Sequence, residues 1–212
     1  MGGATVKRPP TWHVRLALAI VALSSMSYAA SQDAVVQQYA GNGIQNTRPF
    51  TVSQGWEVQW DAAGDVFQLF LHTGSGDLVD VAANQMGAGS GASYFPMPGT
   101  YYLQINAIGP WSVQVVHVST GPAQINAAPA VFQGNGTSNT RPFITPGPWE
   151  VQWDASGDVF QIFVHDGVGN LVDVAANQLG AGRGASYQPR SGTYYLQVNA
   201  TGAWALRVVS VQ

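Results

Sequence analysis

WEVQWDAAGDVFQLFLH, residues 56–72, returns later in the chain as WEVQWDASGDVFQIFVH, residues 149–165. Within each copy Trp, Val and Trp alternate with Glu, Gln and Asp, the period of a strand with one face buried and one wet. Gly-Asp then interrupts the run, and a second apolar stretch closes on His72 or His165. Punctuation of that kind marks a turn between two strands. No stretch keeps a helical period.

The repetition extends far beyond these residues. Gly41 to Val118 aligns with Gly134 to Val211 at a constant offset of 93 without a gap, and about two-thirds of the positions are identical. Asn-Thr-Arg-Pro-Phe, Leu-Val-Asp-Val-Ala-Ala-Asn-Gln and Gly-Thr-Tyr-Tyr-Leu-Gln occur in both copies. The period is too long for helical or leucine-rich solenoids, whose units run about 20 to 50 residues, so each copy reads as a self-sufficient domain. About seven strands are expected per copy, in the first near 49–52, 56–60, 66–72, 78–84, 92–95, 100–107 and 111–118. The sum is an all-β chain of two tandem small antiparallel β-sandwiches, jelly-roll-like in character. Repeat 1 is assigned to 34–118, a Gly- and Pro-bearing linker to 119–130, and repeat 2 to 131–212. Trp56, Val58 and Trp60 share one face, as do Tyr101, Leu103 and Ile105, and Trp111, Val113 and Val115, and these are the expected core.

The first 29 residues read as a cleaved signal peptide: Lys7, Arg8 and Arg15, then the apolar run 16–23, then the small residues Ser27 and Ala29. The run is too short for a membrane span, which needs about 20 apolar residues. The expected product is exported, to the periplasm, the cell surface or beyond, with no membrane insertion after cleavage. It retains five Arg against eleven acids, a balance that disfavours nucleic acid and anionic lipid as partners. Cysteine is absent, so each domain must hold without disulfides, on a dense apolar core.

The second half of each copy, with Gly-Asp-Val-Phe-Gln-Ile-Phe-Val at 157–164 and Gly-Thr-Tyr-Tyr-Leu-Gln-Val at 192–198, resembles bacterial pre-peptidase C-terminal domains. The resemblance covers about half of each copy. It implies a compact β-sandwich of the kind attached to secreted enzymes, serving export, substrate contact or calcium-linked stability. This chain carries no catalytic domain beside it, and the Asn-Thr-Arg-Pro-Phe block falls outside the pattern.

Candidate chemistry follows from residue type. His72 and His165 occupy matching positions in the two copies without a nucleophile elbow, so they read as hydrogen-bonded strand-end residues. No catalytic residue is assigned, and the chain is expected to be non-enzymatic. Gly87, Gly89 and Gly91, with Gly180, Gly182 and Gly184, lack the Lys and the helix that a phosphate loop requires, and read as turn or bulge residues. Asp61, Asp65 and Asp80, with Asp154, Asp158 and Asp173, are the candidate metal ligands. Calcium takes six to eight oxygens, which these acids and nearby carbonyls would have to supply. No other cofactor is expected. Arg48 and Arg141 precede Pro and are expected to pair with acids.

The outward partners of the core positions form a polar stripe: Glu57, Gln59, Tyr102, Gln104 and Asn106, repeated as Glu150, Gln152, Tyr195, Gln197 and Asn199. Planar amides, a carboxylate and a ring suit a sugar or a protein surface, and two equal faces would bind bivalently. A ligand of glycan or protein type is therefore expected. The alternative is self-association, since protected strand edges commonly carry Lys and none follows Lys7.

Overall fold

A computed structural model describes residues 33–119, 121–125 and 129–211. The expected signal peptide lies outside them. In the first copy the strands are β1 (Ala34–Asn42), β2 (Gln45–Asn46), β3 (Phe50–Val52), β4 (Trp56–Ala62), β5 (Val66–Thr73), β6 (Leu78–Met86), β7 (Gly89–Phe95), β8 (Gly99–Ile108) and β9 (Pro110–His117). A short β10 (Ala123–Gln124) follows. The second copy runs through β11 (Ala130–Asn135), β12 (Ser138–Asn139), β13 (Phe143–Thr145), β14 (Trp149–Ala155), β15 (Val159–Asp166), β16 (Leu171–Leu179), β17 (Gly182–Gln188), β18 (Gly192–Ala200) and β19 (Ala203–Ser210).

The chain passes back and forth between two sheets in each copy. The first copy has the order β1-β9-β4-β7 in one sheet and β2-β8-β5-β6 in the other, with β3 also on β8, and the second copy reproduces both orders. All of these pairs are antiparallel. This strand order is that of a jelly roll, two sheets face to face, with β2 and β3 sharing one position beside β8. The fold class expected from the sequence is therefore the one observed.

Alternation places the core as expected. Trp56, Val58, Leu103, Ile105 and Val115 are fully buried, and Trp60, Tyr101, Trp111 and Val113 nearly so. Each copy has its own apolar cluster. Trp56 is the meeting point of the first: its ring lies 5.3 Å from Phe50 and 5.4 Å from Tyr101 in the facing sheet, and 4.8 Å from Phe95 in its own. Gly91 serves the same packing, because a Cβ there would stand 2.3 Å from the Trp60 ring. That is the reason for glycine inside strand β7, in place of the expected turn.

Two departures concern the ends of the copies. Strand β1 was not among the seven expected strands, yet it pairs with β9 along its whole length, from Ala34 opposite His117 to Asn42 opposite Pro110. Its alternation is blurred by a bulge between Val35 and Gln37. The segment read as a linker is also partly structural: β10 pairs in parallel with Phe143 and Ile144, and Ile125 is buried in the second core.

Replacing Trp56 by Ala should cost roughly 3–5 kcal/mol, the range for emptying a large aromatic site. Urea denaturation followed by tryptophan fluorescence measures it.

Candidate functional site

The outer face of the β1-β9-β4-β7 sheet carries the first candidate. Gln38 on β1 lies opposite Gln114 on β9, which lies opposite Gln59 on β4. Three glutamines thus form one row across three strands. Gln38 donates to Gln114 at 3.2 Å, and Gln59 donates to Glu57 at 3.0 Å. The next row holds Ala40, Ser112 and Asp61, also in register. Together they line an open trough of about 520 Å³. Tyr39, Trp60 and Val113 complete the lining, so planar amides, a hydroxyl and an exposed carboxylate share it with apolar surface.

The second copy does not repeat this trough. Its row is Val131, Arg207 and Gln152. Asp154 is tied to Arg183 by an ion pair of 2.8 Å. The aligned copies already carry this divergence, Gln114 against Arg207 and Ser90 against Arg183. Gln38 was missed because the strand that holds it precedes the aligned repeat.

The expected polar stripe is not one surface. Glu57 and Gln59 project from β4, whereas Tyr102, Gln104 and Asn106 project from β8, and these strands belong to opposite sheets of the sandwich. The same separation divides Glu150 and Gln152 from Tyr195, Gln197 and Asn199. On the β8 side, His72 stacks on Tyr102 at 5.0 Å, and its Nε2 lies 3.1 Å from Gln104 Oε1. Asn106 donates to Gln68, and Gln68 to Asn84. His165 repeats the pattern on Tyr195 and Gln197. Both histidines are thus strand-end residues held by hydrogen bonds.

The copies meet at a junction that breaks their equivalence. The Asn139 side chain donates to Asp80 at 2.9 Å and to the Tyr94 carbonyl at 3.2 Å, while its backbone N–H donates to Ser93 at 3.0 Å. Gln197 donates to the other Asp80 oxygen at 2.7 Å. Arg141 spans Glu57 and Asp33 with charge-assisted bonds, which raise its pKa and keep it charged. Tyr94 meets Tyr195 edge to face at 5.8 Å. Gly136 brings the backbones together: its φ is +75°, and a Cβ would stand 2.2 Å from the Asn84 carbonyl oxygen. Glu57, Tyr195 and Gln197 are therefore engaged in the junction, where the sequence placed them on a free face. Arg141 pairs with acids as expected, though across the two copies, while Arg48 is exposed.

The six aspartates expected to bind metal do not converge. Asp80 serves the junction, Asp154 pairs with Arg183, and Asp173 accepts from Gln188 at 2.6 Å. Asp61 lines the trough, Asp65 lies in the β4–β5 turn, and the backbone of Asp158 donates to Thr201. Asp80 and His165 both line a cleft of about 340 Å³ beside the junction. Among the described residues, no three His, Asp or Glu side chains gather to hold a metal ion. No helix among them is long and apolar enough to cross a membrane.

Strand order and junction define a tandem jelly-roll protein. No protein-family model matches the chain, and no curated protein does. The resemblance to pre-peptidase C-terminal domains thus gains no support from a family model. Among solved structures, the chain is similar to the PBSX exported protein XepA, at 10% identity over 84% of this chain and 85% of that one, with a TM-score of 0.32. It is also similar to a cupin 2 conserved barrel domain protein from Leptotrichia buccalis, at 9% identity, 82% of each chain and a TM-score of 0.25. A third is an oxalate decarboxylase from B. subtilis, at 10% identity over 87% of this chain and 76% of that one, with a TM-score of 0.24. This third likeness corrects the expectation that the chain is non-enzymatic: a structure of its kind belongs to an enzyme, so that exclusion is withdrawn. The same figures assign this chain no activity, and its fold rests on its own strand order.

Burial raises the pKa of Asp80, against the lowering effect of its bonds to Asn139, Val81 and Gln197 and of nearby His165. A carboxyl that is harder to ionise folded than unfolded stabilises the fold at low pH, and that contribution is lost as pH rises through the folded value. Wild type should therefore melt progressively lower, relative to Asp80→Asn, as pH climbs above 3.8. Thermal melts of the two proteins across a pH series check it.

Proposed function

We propose that this chain is an exported glycan-binding protein whose ligand surface is the outer face of the first sandwich. The observation that carries this reading is the row of Gln38, Gln114 and Gln59 along an open trough, with Asp61 and Ser112 beside it. Side-chain amides both donate and accept, so a rigid row of them matches the mixed hydroxyls of a sugar chain. A sheet sets their spacing without loop ordering, which reduces the entropy lost on binding. The trough is open along the sheet surface and not enclosed, which favours an extended polysaccharide over a compact ligand. The second sandwich, with Val131 and Arg207 in the same row, has a different role. Export accords with the basic and apolar leader read in the sequence, and the absence of cysteine makes the fold indifferent to the redox state of its surroundings.

Glycan-array screening followed by calorimetry tests the reading. A soluble glycan that binds the wild type should lose at least about tenfold in affinity to the Gln59→Ala, Gln114→Ala double variant, the loss of a few hydrogen bonds at about 1 kcal/mol each. Gln152→Ala in the second copy should leave it unchanged. Retained binding in the double variant, or no glycan ligand at all, would overturn the proposal.

A further inference from the structure

The junction between the copies is heterologous: the first contributes one surface and the second a different one. Because the copies are duplicates, each surface exists twice and is used once. The surface that the first copy presents, with Glu57, Asp80, Ser93 and Tyr94, recurs in the second as Glu150, Asp173, Ser186 and Tyr187. The surface that the second copy presents, with Asn139, Arg141, Tyr195 and Gln197, recurs in the first as Asn46, Arg48, Tyr102 and Gln104. All eight residues are identical to their counterparts.

Burial separates the used from the unused halves. Tyr94 is 8% exposed and Tyr187 54%. Thr137, inside the junction, is 4% exposed, whereas Ile44 at the matching position of the first copy is 71% exposed. Ser93 is fully buried and Ser186 partly open, while Asn139 is buried and Asn46 exposed. One open end is acidic, through Glu150 and Asp173, and the other presents Arg48. A cleft of about 320 Å³ opens at Gln45, Asn46, Thr47 and Arg48. The corresponding stretch of the second copy, Ser138 to Arg141, lines the cleft against which Glu57 and Ala92 pack.

We propose that a second copy of this chain docks on these open ends, its first sandwich meeting the second sandwich of its neighbour through the contacts that these eight shared residues make in the internal junction. Arg48 then spans to Glu150, Asn46 to Asp173 and Ser186, and Ile44 leaves solvent. A heterologous contact between identical chains builds a ring or an open filament, not a closed two-fold dimer. Several differences weaken this joint relative to the internal one: Ile44 and Gln45 stand where Thr137 and Ser138 do, the latter a donor to the Ala92 carbonyl, and Arg183 stands where Ser90 lines the internal cleft. Sequence position 126, aligned with Asp33, is Asn, which removes one carboxylate partner of the arginine. The internal joint is also formed within one chain, at high effective concentration. Association is therefore expected at high protein concentration, while the internal junction persists at all concentrations.

Sedimentation velocity over a concentration series of the full chain tests this. Wild type is expected to shift from monomer to dimer and then to larger species. Arg48→Glu and Glu150→Arg should each weaken association at least tenfold with unchanged melting temperatures, since both act on open surfaces. Combining the two in one chain restores the ion pair with its sense reversed and should recover association. Should either single variant melt low, Tyr187→Asp, at a solvent-facing position, gives the same loss. A wild type that stays monomeric up to its solubility limit, single variants that assemble like wild type, or a charge-swapped chain that stays monomeric would each overturn the proposal.

Discussion

Trp56 and Trp149 hold their sandwiches shut. Each is fully buried, and each reaches aromatic rings on the opposite sheet: Phe50 and Tyr101 in one case, Phe143 and Tyr194 at 5.2 Å in the other. Such ring pairs add about 0.5–1.5 kcal/mol each beyond the area they bury. In a chain without cysteine, these contacts do what covalent cross-links do in many small exported domains. They also fix which side of every strand faces in, and hence which residues stand outside. The glutamine row on one surface and the histidine–tyrosine stacks on the other are consequences of that sorting.

The two cores have not stayed equal. Trp56 donates its indole N–H to the Met97 carbonyl at 3.1 Å, whereas the buried Trp149 Nε1 has no hydrogen-bond partner among the described residues. Phe95, which packs on Trp56, is replaced at the matching position by Gln188, whose amide turns to Asp173. The second copy has thus exchanged an aromatic neighbour for a polar tie. Its trough residues changed as well, while eight of the residues that meet across the junction are the same in both copies.

The inward halves of the strands were legible because alternation depends only on local order: Trp56 to Trp60, Tyr101 to Ile105 and Trp111 to Val115 all face the core. Which sheet each strand joins was not legible. Nothing near Glu57 or Tyr102 tells a reader that β4 and β8 lie in different layers, so residues of like character were merged into one stripe. Pairing of distant segments decides that question, as it does for β1, whose alternation is blurred by its bulge. The junction was invisible for a related reason. Two matching local sequences imply two matching environments until one copy packs on the other, and Asp80 and Asp173, in the same Leu-Val-Asp-Val-Ala-Ala-Asn-Gln stretch, differ through their neighbours. Divergence between the copies was the available signal, and Gln114 against Arg207 already carried it.

The tether between the sandwiches is short and anchored at both ends. Val118 donates its N–H to the Gly55 carbonyl, and Ala123 donates to that of Pro142, where β10 begins its parallel pairing. Five residue steps separate the anchors, a reach of at most about 18 Å for an extended chain. Partner exchange between molecules, in which one half leaves its sibling for a stranger's, would first require stripping β10 from β13 and withdrawing Ile125 from the core. The leash therefore acts as a latch, favouring the sibling half over a stranger's.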